Sequence, residues 1–337
     1  MITFVRKGML TLVQDLGRYG YQRYGVPVSG VMDEMAARLA NRLVGNDPAE
    51  AVLECTVMGP TIEFGESEIF ALAGADFGAK LNGEPIDNNR AHLAHAGDRL
   101  EMPAARFGAR AYIAFAGGFD LKPVMGSLST YLKAGIGGLD GRAIRDGDTI
   151  PLREAKSWLP NLEDRVAPPE AISPYNPNPT LRFTYGPQDD MFSEAGKKAL
   201  TTGEYKVSNQ SDRMGYRLEG PQIEAAEGCN GNIISDGICI GSIQVPSGQP
   251  IVLMADRQTT GGYAKIGCVI RADLPLLAQL KAGDTVRFEP IEVHEAQKIY
   301  LNQLYALRRL AAHLARRTFT VCLGGETHTV TIEEAGQ

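Results

Sequence analysis

The chain has 337 residues, of which 44% are hydrophobic and 22% charged, and its formal net charge is −6. That length accommodates two domains, and the composition is that of a soluble globular protein rather than a disordered or membrane-spanning one. The acidic balance excludes the basic footprint of a nucleic-acid binder.

In chain order, charge arrives at Arg6 and Lys7 before an apolar signal segment can develop, and no membrane-length apolar run follows. Residues 2–13 predict one or two strands. They lead into the polar loop Gln14-Asp15-Leu16-Gly17-Arg18 and the turn-rich Gly25-Val26-Pro27-Val28-Ser29-Gly30. Asp33 predicts a helix N-cap, with Ala36, Leu39, Ala40 and Leu43 as the apolar face and Gly45 as a left-handed stop. Strands are expected at 61–64, 69–73, 98–102 and 111–116, with a hairpin turning at Asn82-Gly83. The segment Gly135-Ile136-Gly137-Gly138-Leu139-Asp140 misses a dinucleotide fingerprint because Asp140 stands where the third glycine belongs, and no P-loop occurs.

Six prolines and the lone Trp158 between 154 and 180 mark a boundary. The expected organisation is a β-rich domain over 1–155, a linker over 156–180, a second β-rich domain over 181–291, and a terminal helix and hairpin over 292–337. Within it, 181–185 reads as a strand, and Asp189-Asp190 as the cap of a helix running to about Leu200. The stripe Val293, Ala296, Ile299, Leu304, Leu307, Ala311 and Leu314 predicts a helix over 292–317 that packs across a barrel. Residues 318–323 and 326–332 pair as a last hairpin. Leu53-Glu54 before Gly59-Pro60, echoed by Leu218-Glu219 before Gly220-Pro221, and the strand starts Gly97-Asp98 and Gly283-Asp284 suggest two similar halves.

The richest chemistry lies between Ser242 and Tyr263. The apolar run 251–255 predicts a buried strand that delivers Asp256, Arg257, Gln258, Thr259 and Thr260 to one end, and Gly261-Gly262 allows a positive φ or close backbone approach. Gln244, Tyr263 and Lys265 flank it. Ser211-Asp212-Arg213 forms a second polar cluster, readable either as a structural rim network or as part of a site. His92 and His95 lack a third ligand, so no metal site is predicted. The five cysteines are an odd number without a CxxC pair, which suits reduced thiols and a cytoplasmic location.

Gln14 to Arg18, Gly25 to Gly30, Asn41-Arg42-Leu43-Val44-Gly45-Asn46, Ser211 to Gly215 and Asp256 to Tyr263 together resemble one family, over about residues 3–290. It is the family of the bacterial 5-oxoprolinase C-subunit, also called KipA, allophanate hydrolase subunit 2, or the second half of the carboxyltransferase domain of urea amidolyase. The resemblance implies a mainly-β fold of two tandem cyclophilin-like β-barrels with a few short helices and a C-terminal helix. It implies a KipI-like B-subunit, with which the active site is shared, and a LamB/YcsF-type A-subunit. ATP with Mg would be a co-substrate of the complex. Biotin would serve only in the carboxyltransferase alternative and would arrive on another chain, since no Met-Lys-Met attachment site is present. A third alternative is a regulator that sequesters a KipI-like kinase inhibitor. Leu128 departs from the arginine that relatives often carry between Ser127 and Ser129, which removes a charge from that loop.

Lactam opening and carboxyl transfer both develop negative charge on an amide-like oxygen, which fixed cations and amide donors stabilise. The expected catalytic set is therefore Arg257, Arg213, Gln258, Gln244 and Tyr263. Arg257 and Arg213 would clamp a carboxylate or phosphate, Gln244 and Gln258 would orient the amide, and Asp212 or Asp256 would hold an arginine in place. Ser211, Thr259, Thr260, Gly261, Gly262 and Lys265 complete the expected substrate or phosphate contacts. Gln14, Asp15, Arg18, Ser29, Ser127 and Ser129 are expected in a loop cluster that either knits the first domain or meets the partner.

Overall fold

The protein is described from a computed structural model covering residues 1–155, 162–163, 165–173, 175–314, 317–324 and 326–332. Trp158, Pro160 and Pro174 of the expected linker and Arg316 of the expected helix end lie outside the described residues. The short apolar runs between Gly and Asp punctuation fold as strands, and the chain is mainly β. In the N-terminal half these are β1 (Ile2–Arg6), β2 (Leu10–Gln14), β3 (Val52–Thr56), β4 (Thr61–Phe64), β5 (Glu68–Asp76), β6 (Lys80–Leu81), β7 (Glu84–Pro85), β8 (Arg90–Ala94), β9 (Arg99–Glu101), β10 (Phe107–Phe115) and β11 (Thr149–Ile150). The C-terminal half contains β12 (Thr180–Tyr185), β13 (Tyr205–Val207), β14 (Gly215–Glu219), β15 (Asn232–Gly237), β16 (Ser242–Gln244), β17 (Ile251–Leu253), β18 (Thr260–Tyr263), β19 (Lys265–Val269) and β20 (Thr285–Pro290), then the hairpin β21 (Arg317–Leu323) and β22 (Glu326–Ile332).

The N-terminal half arranges its strands as two sheets, β11-β1-β4-β9-β6-β7 and β2-β3-β10-β5-β8, around a core that includes Phe4, Leu53, Ile62, Phe64, Phe70 and Phe115. In the C-terminal half, β12-β19-β16-β17-β14-β13-β20 close into a barrel filled by Leu181, Phe183, Tyr205, Ile243, Val252 and Phe288. The Gly-Asp strand start recurs three times rather than the two read from sequence. Gly97, Gly147 and Gly283 take φ of 90°, 84° and 100°, a conformation glycine reaches without steric cost. Each following aspartate accepts the N–H three residues before it, from His95, Arg145 and Lys281 at 2.7–2.8 Å. The Leu-Glu echo diverges: Glu54 is fully buried, whereas Glu219 is exposed.

Four helices appear among the described residues: α1 (Glu34–Leu43), α2 (Glu194–Thr202), α3 (Leu274–Ala278) and α4 (Val293–Leu314). Asp33 caps α1 by accepting the Ala36 N–H at 2.9 Å, and the helix lays Ala36, Ala37, Leu39, Ala40 and Leu43 on the outer face of β5 and β10. Two expectations are corrected. The α2 cap is Ser193, which accepts from Gly196 at 3.0 Å; Asp189 and Asp190 stand in a separate 3₁₀ turn, parted from α2 by the buried, extended Phe192. Helix α4 does not cross a barrel. It packs on α1 and the 271–273 turn, where Tyr300 donates to Glu34 at 3.0 Å, Gln303 donates to the Ala272 carbonyl at 3.2 Å and Leu307 is buried, while Val293 of the expected stripe is 57% exposed.

Buried polar groups join the halves. Gln279, just after α3, accepts from the Ala109 and Arg110 N–H groups at 3.1 and 3.0 Å and donates to the Arg110 carbonyl at 3.0 Å and to Asp33 at 2.8 Å. Arg110 donates to the Tyr216 hydroxyl at 2.6 Å and the Ala278 carbonyl at 2.5 Å. Gln279→Ala orphans three backbone groups at this junction. At about 1–3 kcal/mol for a buried unsatisfied group, it should lower the urea midpoint strongly without changing the far-ultraviolet spectrum.

Burial pushes two carboxyls up, Asp33 to about 6 and Glu68 to about 7. Each binds its proton more tightly folded than unfolded, so its contribution to stability is full below the unfolded value and is lost as pH rises through the folded one. Glu68→Gln removes one such term. The variant should lose less stability than the parent between about pH 5 and about pH 8, measured as the difference in urea midpoints; parallel curves would show that Glu68 does not titrate in this window.

Candidate functional site

The turn after β17 organises the site. The strand ends at Leu253, two residues earlier than the apolar run suggests, and Met254 and Ala255 stay buried while the chain bends, with the Arg257 N–H donating to the Met254 carbonyl at 3.2 Å. Asp256 and Arg257 thereby face different neighbours. Asp256 accepts from Arg213 Nε at 2.9 Å and Nη2 at 3.1 Å. The same guanidinium donates through Nη1 to Glu54 and through Nη2 to the Gly30 carbonyl at 2.6 Å. Arg213 is 6% exposed and Glu54 0%. Arg213, expected to clamp a ligand, uses its fork here to tie the C-terminal barrel to the N-terminal half. Burial alone would lower its pKa, but Asp256 and Glu54 hold it well above the usual arginine value. The expectation that Asp256 holds an arginine in place matches this geometry.

Arg257 has the opposite surroundings. It is 8% exposed, and among the described residues its fork is oriented by two carbonyls, Ile238 from Nε at 3.4 Å and Met254 from Nη1 at 3.2 Å. Among the described residues no carboxylate pairs with it. Burial pushes its pKa down, against the opposing pull of Cys239 and Tyr19. A buried cation without a built-in counter-ion is poised for an anionic ligand, which supplies the missing charge and relieves the desolvation cost.

Arg257 lines a pocket of about 140 Å³ with Tyr19, Ser29, Cys239, Arg271 and Glu34 among its walls. Ser29 adopts φ 55°, a left-handed conformation unusual for a serine, and its buried Oγ has no partner among the described residues. Arg271 differs from Arg257 in being matched, donating to Glu34 from Nε at 2.8 Å. Glu34 also accepts from Arg38 at 2.8 Å, so Arg257 is the pocket arginine without a carboxylate partner among the described residues.

The amide donors gather on the other side of Ile238. Gly261 and Gly262 lie in β18, paired with β15, and neither has positive φ; close approach is the use of Gly261, whereas a Cβ at Gly262 would meet nothing nearer than 3.5 Å. A Cβ at Gly261 would stand 2.5 Å from Ile238 Cδ1, 2.9 Å from Gln244 Nε2 and 3.4 Å from Gln258 Nε2. Gln244 donates to the Tyr263 carbonyl at 3.1 Å, and Tyr263 is 45% exposed. Lys265 is buried and pairs with Asp236 at 3.0 Å. The Thr259 carbonyl accepts the Ile238 N–H at 3.1 Å, and Thr260 begins the exposed β18 edge.

The remaining expected residues close loops. Ser211 exchanges hydrogen bonds with the Arg217 backbone at 3.1 and 3.3 Å, and Asp212 accepts from the Met214 and Gly215 N–H groups at 2.7 and 3.3 Å. Both, expected as ligand contacts, close their own loop in this structure. Asp15 gathers Ser127, Ser129 and the Leu128 N–H within 2.7 Å. Gln14 donates to the Thr130 carbonyl at 3.0 Å, and Arg18, fully buried, donates to the Val124 and Ser129 carbonyls at 2.9 and 2.7 Å. This cluster knits the 124–130 loop to the strand end of β2 and to Ser29's loop, where the Arg18 N–H donates to the Val28 carbonyl at 2.7 Å. Sequence reasoning missed roles for Glu54, Cys239, Arg271 and Tyr19. Glu54 was visible as an acidic residue inside an apolar strand; the other three carried no local signal.

The family model for the carboxyltransferase domain, subdomain A and B, matches residues 24–290. The chain is 39% identical over 315 residues to the 5-oxoprolinase C-subunit of Escherichia coli K12, covering 93% of this chain and 99% of that protein. It is 36% identical over 300 residues to the 5-oxoprolinase C-subunit of Haemophilus influenzae, covering 87% and 94%. Among solved structures, the K. lactis urea amidolyase superposes with a TM-score of 0.86 at 30% identity; the match covers 92% of this chain but only 20% of that one.

Proposed function

The chain belongs to the carboxyltransferase-domain family of which the 5-oxoprolinase C-subunit is a member, and from that premise we propose that it forms part of an ATP-dependent 5-oxoprolinase converting 5-oxoproline to glutamate. A KipI-like B-subunit completes its active site and a LamB/YcsF-type A-subunit completes the reaction. The observation that carries the reading on this chain is Arg257, a buried guanidinium with no carboxylate counter-ion among the described residues, facing a small pocket. A compact lactam acid suits that pocket, whereas ATP with its Mg is assigned to the rest of the complex. Arg257 holds negative charge on the substrate, and the Arg213–Asp256 pair positions the turn that carries it. Gln244 and Gln258 orient the amide across Ile238, with Tyr263 at the rim. Ser29 offers a hydroxyl that is free to turn toward the ligand.

Near-full-length similarity to two 5-oxoprolinase C-subunits at 36–39% identity supports this activity over others in the family. The superposition on urea amidolyase favours a second reading, biotin-dependent carboxyl transfer. There the same cation would face the ureido oxygen of a biotin delivered on another chain, biotin supplying the carboxyl group in transit. The test is to combine the chain with its KipI-like and LamB/YcsF-type partners, omitting each in turn, and to follow ADP release with and without 5-oxoproline. ADP and glutamate appearing only with all chains is the expected result. Silence from an assembled complex, with turnover appearing when a carboxybiotin carrier is supplied, would replace it by the second reading.

A further inference from the structure

Cys239 and Cys268 are far apart in sequence but adjacent in space. Cys239 sits in the tight turn entering β16, closed by Gly241 at φ 85°, and Cys268 lies on β19 opposite Ser242. Their sulfurs are 3.5 Å apart. The Ser242 hydroxyl is 3.2 Å from the Cys239 sulfur. Cys239 is exposed on the pocket wall and Cys268 is partly buried behind it. The neighbouring Cys268 sulfur, with Ser242 and the Arg257 charge behind it, holds the Cys239 pKa below the usual thiol value, while the Cys268 proton is held more tightly. The remaining cysteines show no such partner among the described residues: Cys55 is buried with its thiol pushed up by burial, and Cys229 and Cys322 stand apart from this pair.

We propose that Cys239 and Cys268 are a peroxide-reactive thiol pair that closes to a disulfide on the wall of the Arg257 pocket. The reacting partner is a hydroperoxide. The Cys239 thiolate attacks one peroxide oxygen: an S–O bond forms, the O–O bond breaks, and the leaving alkoxide or hydroxide takes a proton from water. The Cys268 sulfur then attacks the sulfenic acid: the S–S bond forms, the S–O bond breaks, and hydroxide leaves as water with the Cys268 proton. Two thiols are oxidised by two electrons and the peroxide is reduced by two. The sulfurs need to close only from 3.5 Å to the ~2.05 Å of a disulfide. Ile238, whose carbonyl orients Arg257, immediately precedes Cys239, so the bond forms on the segment that positions the pocket's cation. This chemistry depends on the two thiols alone and stands apart from the function proposed for the pocket.

The test uses the full chain. It is treated with a stoichiometric amount of hydrogen peroxide, denatured so that every remaining free thiol is alkylated, and its peptides are mapped by mass spectrometry. The expected product is a Cys239–Cys268 cross-link with loss of two hydrogens, reversed by a dithiol reductant, with Cys55, Cys229 and Cys322 still alkylated. Cys268→Ser should stop at a sulfenic acid on Cys239 that a dione nucleophile traps, and Cys239→Ser should leave Cys268 a thiol. Without peroxide, alkylation of Cys239 should be nearly flat between about pH 6 and about pH 8, where an ordinary thiol gains almost tenfold per pH unit. Five alkylated thiols after peroxide, a cross-link through any other cysteine, or an ordinary pH profile at Cys239 would overturn the proposal.

Discussion

Arg257→Lys should reduce the turnover of the reconstituted complex by about 10²–10³-fold, the usual loss when a donor aimed at developing negative charge is removed. The lysine keeps the charge but not the fork that two carbonyls orient, and a flexible ammonium cannot reproduce that geometry. Folding should be nearly unaffected, because among the described residues the arginine's hydrogen-bond partners are the Ile238 and Met254 carbonyls at 3.4 and 3.2 Å. Assembly with the partners and the thermal midpoint should therefore stay close to the parent while turnover collapses. Normal turnover in the folded, assembled variant would remove Arg257 from the site.

Arg213→Met should behave in the reverse way. It leaves Glu54 and Asp256 with side chains 0% and 9% exposed and no cation between them. Breaking a buried pair by removing one partner costs about 3–5 kcal/mol, so the urea midpoint should fall sharply. Adding Glu54→Gln to that variant should recover part of the loss, since one stranded charge disappears, although Glu54 also accepts from the Met32 N–H at 2.7 Å and the Tyr112 hydroxyl at 2.9 Å. A folded Arg213→Met protein of parental stability would mean that the Arg213 fork adds nothing net to the junction that Gln279 and Arg110 also hold.

These two arginines show what could be read from the chain and what could not. Strands announced themselves by apolar runs between glycines, and Asp33 with Gly45 bounded α1, because those signals are local and short-ranged. The cluster of polar residues around 256–263 was equally visible. The division of labour between Arg213 and Arg257 was not, because it depends on Glu54, which lies 159 residues from Arg213. Sequence shows that an arginine is present but not whether a distant carboxylate will neutralise it. The α2 cap was misplaced for a different reason: Asp189, Asp190 and Ser193 are all competent caps, and the burial of Phe192 decided among them. The Arg257 pocket takes walls from both halves, Tyr19 and Ser29 from one and Cys239 and Arg271 from the other, so no single stretch could disclose it.

The most direct measurement is calorimetric titration of 5-oxoproline into the assembled complex, with the parent chain and with Arg257→Met. Loss of a charge-assisted hydrogen bond worth about 1.5–3 kcal/mol predicts affinity weakened by about tenfold to a hundredfold, at unchanged stoichiometry of the complex. Equal affinity for the two complexes would contradict the assignment of the substrate's negative charge to Arg257.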